Sequence, residues 1–111
     1  MSLGFIGYGR YKEEDDEYVI YEYSGENWNA LFDKGDRLLY DGLIIIEKNV
    51  LKENVLGKAI EEGRVKIIKE CKNAFNRAGI EFDYLALRIL VQIFRDYEEK
   101  GEIPEKVAFI Q

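Results

Sequence analysis

The chain of 111 residues contains no histidine and a single cysteine, Cys71. Histidine is the side chain that titrates near neutral pH unaided, so its absence removes Ser-His-Asp and Cys-His nucleophilic machinery. Zinc centres fail on the same count, because a structural site takes about four Cys or His ligands and a catalytic one usually includes His. One cysteine forms no internal disulfide, which agrees with a reducing compartment. Ile67, Ile68, Ala74 and Phe75 stand three or four residues from Cys71, so the thiol is expected to be buried on a helix face. Without a neighbouring base it is expected to be inert. Long apolar runs are also missing. No segment approaches the ~20 apolar residues that span a bilayer, and the N-terminus lacks the basic flank and apolar core of a signal peptide. The expectation is a cytoplasmic protein without membrane contact, in which residues 1–3 are an added expression start outside the functional argument.

What is present describes a chain that folds. Apolar residues make up 47% and aromatics 14%, too much sticky surface for a disordered segment even at 34% charge. One proline and ten glycines over this length, with no low-complexity linker and no internal repeat, are expected to give a single domain over 1–111.

The N-terminal half has the period of strands. "GFIGYGRYK" and "EYVIYEYSG" are rich in aromatic and β-branched residues and flank the acidic run Glu13 to Glu17, which predicts a hairpin with a charged tip. Both faces of the second strand carry large side chains, so both are expected to be at least half covered. Gly7 and Gly9 share one strand face and leave it bare, with room for a neighbouring aromatic ring or for close backbone approach, of which side-chain packing is the expectation. Ser24 to Gly35 reads as a loop anchored by Trp28, Leu31 and Phe32. Leu43 to Ile46, four apolar residues in succession, predict a central strand buried on both faces, with Asp41-Gly42 as either a hairpin turn or a turn or bulge before it.

The second half shifts to a helical period. A short helix is expected within 49–62, closed near Gly63. A second, over 64–78, rests on the spacing of Ile68, Cys71, Phe75 and Ala78 and on Gly79 as a stop. The strongest helix follows Asp83 as N-cap and runs to Gly101, with Pro104 preventing its resumption. Its apolar positions exceed a narrow stripe, which places it in the core or at an oligomer interface. "KVAFIQ" reads as a last short strand. The expected architecture is α+β: an N-terminal antiparallel sheet of three to four strands, two to three C-terminal helices packed on one face, and a short C-terminal strand joining an edge.

Charge follows the same division. Up to Glu47 there are eleven acidic and four basic residues, a net of −7; beyond it eleven acidic and twelve basic residues give +1, restoring the total of −6. The hairpin tip should be the centre of negative potential and the 64–78 segment locally basic. The acidic run is either a solvated turn that discourages edge pairing or a docking patch for a basic partner. It lacks the spaced Asp and Gly of a calcium loop. A helix-turn-helix over the two C-terminal helices fails because the second is too apolar to enter a groove. Lys66, Lys69, Asn73, Asn76 and Arg77 are then the one credible nucleic-acid contact, and nucleic acid is not an expected partner. Gly4, Gly7 and Gly9 do not form a phosphate-binding loop, and no P-loop or nucleophile elbow occurs.

No catalytic, cofactor-binding or metal-ligating residue is expected, and no cofactor. The leading functional expectation is a non-catalytic protein-interaction module, including the inhibitor or immunity-type protein of a basic partner. Its candidate contact residues are Glu13, Glu14, Asp15, Asp16 and Glu17 at the tip, with Tyr8, Tyr11, Tyr18, Tyr21, Tyr23 and Trp28 as aromatic anchors. Two alternatives are a self-associating homo-oligomeric domain and a carboxylate hydrolase of carbohydrate built from two of Glu22, Glu26, Asp33, Asp36 and Asp41.

Overall fold

The structure, a computed structural model, describes residues 5–27, 40–71 and 82–110. Strand β1 (Phe5–Glu14) and strand β2 (Tyr18–Asn27) pair antiparallel around the acidic turn, with Tyr11 opposite Tyr21 and Gly9 opposite Tyr23. The register shifts between Tyr11 and Glu13, so Lys12 is the extra residue of a bulge just before the tip. Ser24 to Asn27, expected to open a loop, instead continue β2, because Gly25 and Ser24 find partners in Gly7 and Tyr8 of the glycine-rich first strand. The rest of that expected loop, 28–35, lies outside the described residues.

Strand β3 (Gly42–Glu47) pairs with β2 through Tyr21 and Ile44, and Gly42 is its first residue, not a hairpin turn. Its burial alternates, with Ile44 and Ile46 buried and Leu43 and Ile45 half-buried, so one face is sealed and the other partly covered. The single helix expected within 49–62 is two: α1 (Lys48–Glu53) and α2 (Leu56–Glu62). Asn54 divides them in the left-handed conformation (φ 54°), its N–H donating to the Val50 carbonyl at 2.8 Å. Asparagine tolerates that conformation better than most residues. Gly63 (φ 76°) ends α2 in the same way.

The helix expected over 64–78 is overturned at its start: Val65–Lys69 is a strand, β4, antiparallel to β3. Val65, Ile67 and Ile68 are β-branched and follow directly on the Gly63 stop, and the open side of β3 supplies the ladder that the local spacing could not reveal. Residues 72–78 of that segment lie outside the description. Helix α3 (Tyr84–Lys100) begins at Asp83, whose Oδ1 accepts the Leu85 N–H at 3.1 Å, and ends at Gly101 (φ 72°). Strand β5 (Lys106–Ile110) then pairs with β1, with Phe109 opposite Gly7.

Among the described residues the sheet therefore has five strands in the order β4-β3-β2-β1-β5, all antiparallel, in an α+β fold. The two strands beyond the N-terminal three are β4 and the C-terminal β5. Helix α3 packs on β5, β1 and β2, with α1 and α2 beside it. Tyr21, Tyr23, Ile44, Ile46 and Val65 from the sheet meet Leu85, Ile89, Leu90, Ile93 and Phe94 of α3 in one buried cluster. Each such side chain contributes roughly 1.5–3 kcal/mol by leaving water. The bare strip at Gly7 and Gly9 is filled as expected: a Cβ on Gly7 would lie 2.1 Å from the Phe109 ring, and one on Gly9 would lie 2.8 Å from an Ile89 methyl. Among the described residues no helix is long and apolar enough to cross a membrane.

Candidate interaction surface

The five carboxylates of the tip do three different jobs. Asp15 Oδ1 accepts the backbone N–H of Glu17 (2.8 Å) and of Tyr18 (2.7 Å), while its own N–H donates to the Tyr18 carbonyl. It closes the turn, and the two N–H donors, Tyr18 first, hold its carboxyl below the ordinary range. Glu14 forms an ion pair with Lys48 and accepts the Tyr11 hydroxyl at 3.0 Å. The Lys48 bond, then that of Tyr11, lowers the Glu14 pKa, and Glu14 in turn raises that of Lys48. Since the Lys48 N–H also donates to the Glu17 carbonyl at 2.9 Å, the tip is fastened to the start of α1 by side chain and backbone together. Glu13, Asp16 and Glu17 are exposed.

Beside this turn lies a cavity of about 240 Å³ lined by Glu13, Glu14, Asp15, Tyr18, Ile20 and Ile45. Pairing explains its composition. Glu13 stands opposite Ile20, and Ile20 opposite Ile45, so a carboxylate and two half-buried isoleucines share one row of the sheet face turned away from α3. Sequence reading missed the contributions of Ile45 and Lys48, which come from beyond the hairpin and carry no local signal.

The aromatic anchors divide. Tyr8, Tyr11 and Tyr18 are half-buried. Tyr11 meets Tyr21 edge to face, centroids 6.3 Å apart and planes at 87°. Tyr21 and Tyr23 are not surface anchors: both are 0% exposed, because period 2 sends them toward α3. The Tyr21 hydroxyl donates to the Pro104 carbonyl. The Tyr23 hydroxyl donates to Asp83 Oδ2 at 2.5 Å and accepts the Cys71 N–H at 3.2 Å. Desolvation first, and then the Asp83 bond, raise the Tyr23 pKa above its ordinary value. Trp28 lies outside the described residues.

Cys71 is buried, as expected, but it follows a strand end and does not sit on a helix face. Lys66 and Lys69, expected on a helix, are on β4, which removes the helix-turn-helix geometry; Asn73, Asn76 and Arg77 are outside the description. Of the carboxylates considered for hydrolysis, Glu22 is held by Arg10 at 3.0 Å, and Asp41 is half-buried. Asp33, Asp36 and the Glu26 side chain are not among the described groups. No three acidic or thiol side chains among the described residues converge as metal ligands.

A larger cavity, about 590 Å³, opens beside β4 between α2 and the start of α3. No family model, curated protein or solved structure matches this chain.

Proposed function

We propose that the protein is an interaction module that receives a basic side chain of a partner protein at the hairpin tip. The observation that carries this reading is the cavity of about 240 Å³, in which acidic and apolar walls adjoin. It is smaller than the ~300 Å³ at which small-molecule pockets begin, so it suits one side chain and not a whole ligand. Lysine and arginine have the matching chemistry, an aliphatic stem for Tyr18, Ile20 and Ile45 and a cationic head for Glu13 and its neighbours. The turn is fixed by Asp15 and fastened through Lys48, so little ordering cost remains for binding. The acidic half of the chain steers a basic partner toward the same place.

The test is capture of partners from the native source at low and high salt, followed by association kinetics with the salt-sensitive partner. Exchanging Glu13→Gln, Asp16→Asn and Glu17→Gln together should slow association roughly tenfold at low salt with the melting temperature unchanged. The control Glu98→Gln with Glu99→Gln, on α3, should leave the rate near wild type. Equal rates for the tip variant and the wild-type protein, or no salt-sensitive partner, would overturn the proposal.

A further inference from the structure

The core-facing rows of the sheet run out to its β4 edge. One row runs Tyr11, Tyr21, Ile44, Ile67 and the next Val19, Ile46, Val65, each a directly paired set. Both stop at β4, which has no strand on its outer side among the described residues, and there the cavity of about 590 Å³ begins. Ile60 of α2, Val65 and Ile67 of β4, and Phe82 ahead of α3 supply its apolar walls, and Lys66, Glu70 and Asp83 line it as well. This is where the inward side chains of one more strand would lie. The register shift between Leu43 and Ile44 sets Ile68 out of the ladder at this same edge, where it is 54% exposed. It is the one large hydrophobic residue so exposed among those described.

We infer that the β4 edge binds an extended segment of a partner protein by strand addition, and that this segment alternates apolar and acidic residues. Strand addition takes affinity from main-chain hydrogen bonds and specificity from alternate side chains. Apolar residues of the added strand would enter the cavity beside Ile67. On the other face they alternate with positions next to Lys66 and Lys69, which project there because they pair with Ile45 and Leu43. Opposite charges in neighbouring strands attract and like charges repel. Edge lysines and a bulge ordinarily discourage pairing with arbitrary strands. An exposed isoleucine between those lysines has no such protective use, and together they make the edge selective for an acidic strand. A second copy of this chain meets the condition poorly, since its own edges, β4 and β5, begin or end with lysine.

The probe is a synthetic peptide of about ten residues alternating valine and glutamate, against a control alternating valine and lysine, added to the isotope-labelled full chain. The glutamate peptide should shift the backbone amide resonances of Val65–Lys69 and slow their hydrogen exchange, and the lysine peptide should not. Because Lys66 and Lys69 are exposed, Lys66→Glu with Lys69→Glu should keep the fold and reverse the preference roughly tenfold. The tip variant should bind the glutamate peptide normally, which separates this edge from the hairpin site. Shifts centred elsewhere, equal response to both peptides, or no response up to about 1 mM would overturn the inference. So would concentration-dependent self-association that protects the β4 amides.

Discussion

Replacing Tyr23 by Phe takes one oxygen from the centre of the core, and that oxygen serves two groups. It donates to the buried Asp83 carboxylate and accepts the Cys71 N–H. Removing it takes one buried hydrogen bond from each of them, at a cost of about 1–3 kcal/mol. Urea denaturation of Tyr23→Phe should show that loss as a lower midpoint with an unchanged slope. The same hydroxyl shapes the alkaline limit. Burial raises the pKa of both Tyr21 and Tyr23 above that of free tyrosine, ~10. A raised folded pKa leaves stability intact below the unfolded value and withdraws it as pH climbs beyond. Melting temperature should therefore fall from about pH 10 upward, and the share of tyrosinate absorbance that Tyr21→Phe and Tyr23→Phe remove should appear only as the fold is lost. Gly7 works by absence. A methyl group there would meet the Phe109 ring at 2.1 Å, so Gly7→Ala should lower stability by about 1–3 kcal/mol in the same assay, and Phe109→Leu should restore part of it.

At the scale of elements, what could be read from sequence was whatever each segment specifies alone. The aromatic and β-branched runs around Glu13 to Glu17 announce a hairpin, and Asp83, Gly101 and the apolar positions between them announce α3. The β4 strand could not be read this way. Ile68, Cys71 and Phe75 fit a helical spacing, while Val65 to Lys69 become a strand because β3 offers an unpaired edge some twenty residues earlier, a fact of tertiary structure. The tip had the opposite problem: five carboxylates look alike in sequence, and only the bonds of Asp15 and the Lys48 clamp distinguish them. That distinction is testable. The Asp15 pKa is lowered in the fold, so its stabilisation is present above the unfolded carboxylate value and disappears as pH falls through the folded one. Asp15→Ala should melt below wild type at neutral pH, and the two melting curves should draw together as pH falls below the ordinary aspartate value, ~3.9. Glu13→Ala, which removes no turn contact, should match wild type at both.

At the scale of the whole molecule, the first and last strands hold each other. β5 pairs with β1, so contacts between residues near 6 and near 110 close nearly the entire chain into one loop, and such non-local pairing slows folding. The closure also carries core packing, since Val107 and Phe109 are 6% and 7% exposed and fill the strip opened by Gly9 and Gly7. Nothing in β1 can replace them, because its residues on that strip have no side chains. Ending the chain after Glu105 would uncover the strip and the flank of α3 together. Losing two buried side chains of this size removes about 3–6 kcal/mol, a large part of the ~5–15 kcal/mol that holds a domain of this length. The truncated chain should therefore retain helical circular dichroism but lose its cooperative thermal transition and bind a hydrophobic dye. Returning a separate peptide covering residues 104–111 should restore the transition in proportion to its concentration. If Phe109 is the side chain that seats β5, the same peptide carrying Phe109→Ala should restore far less. An equal rescue by both peptides would move the weight of the closure from the ring to the backbone ladder.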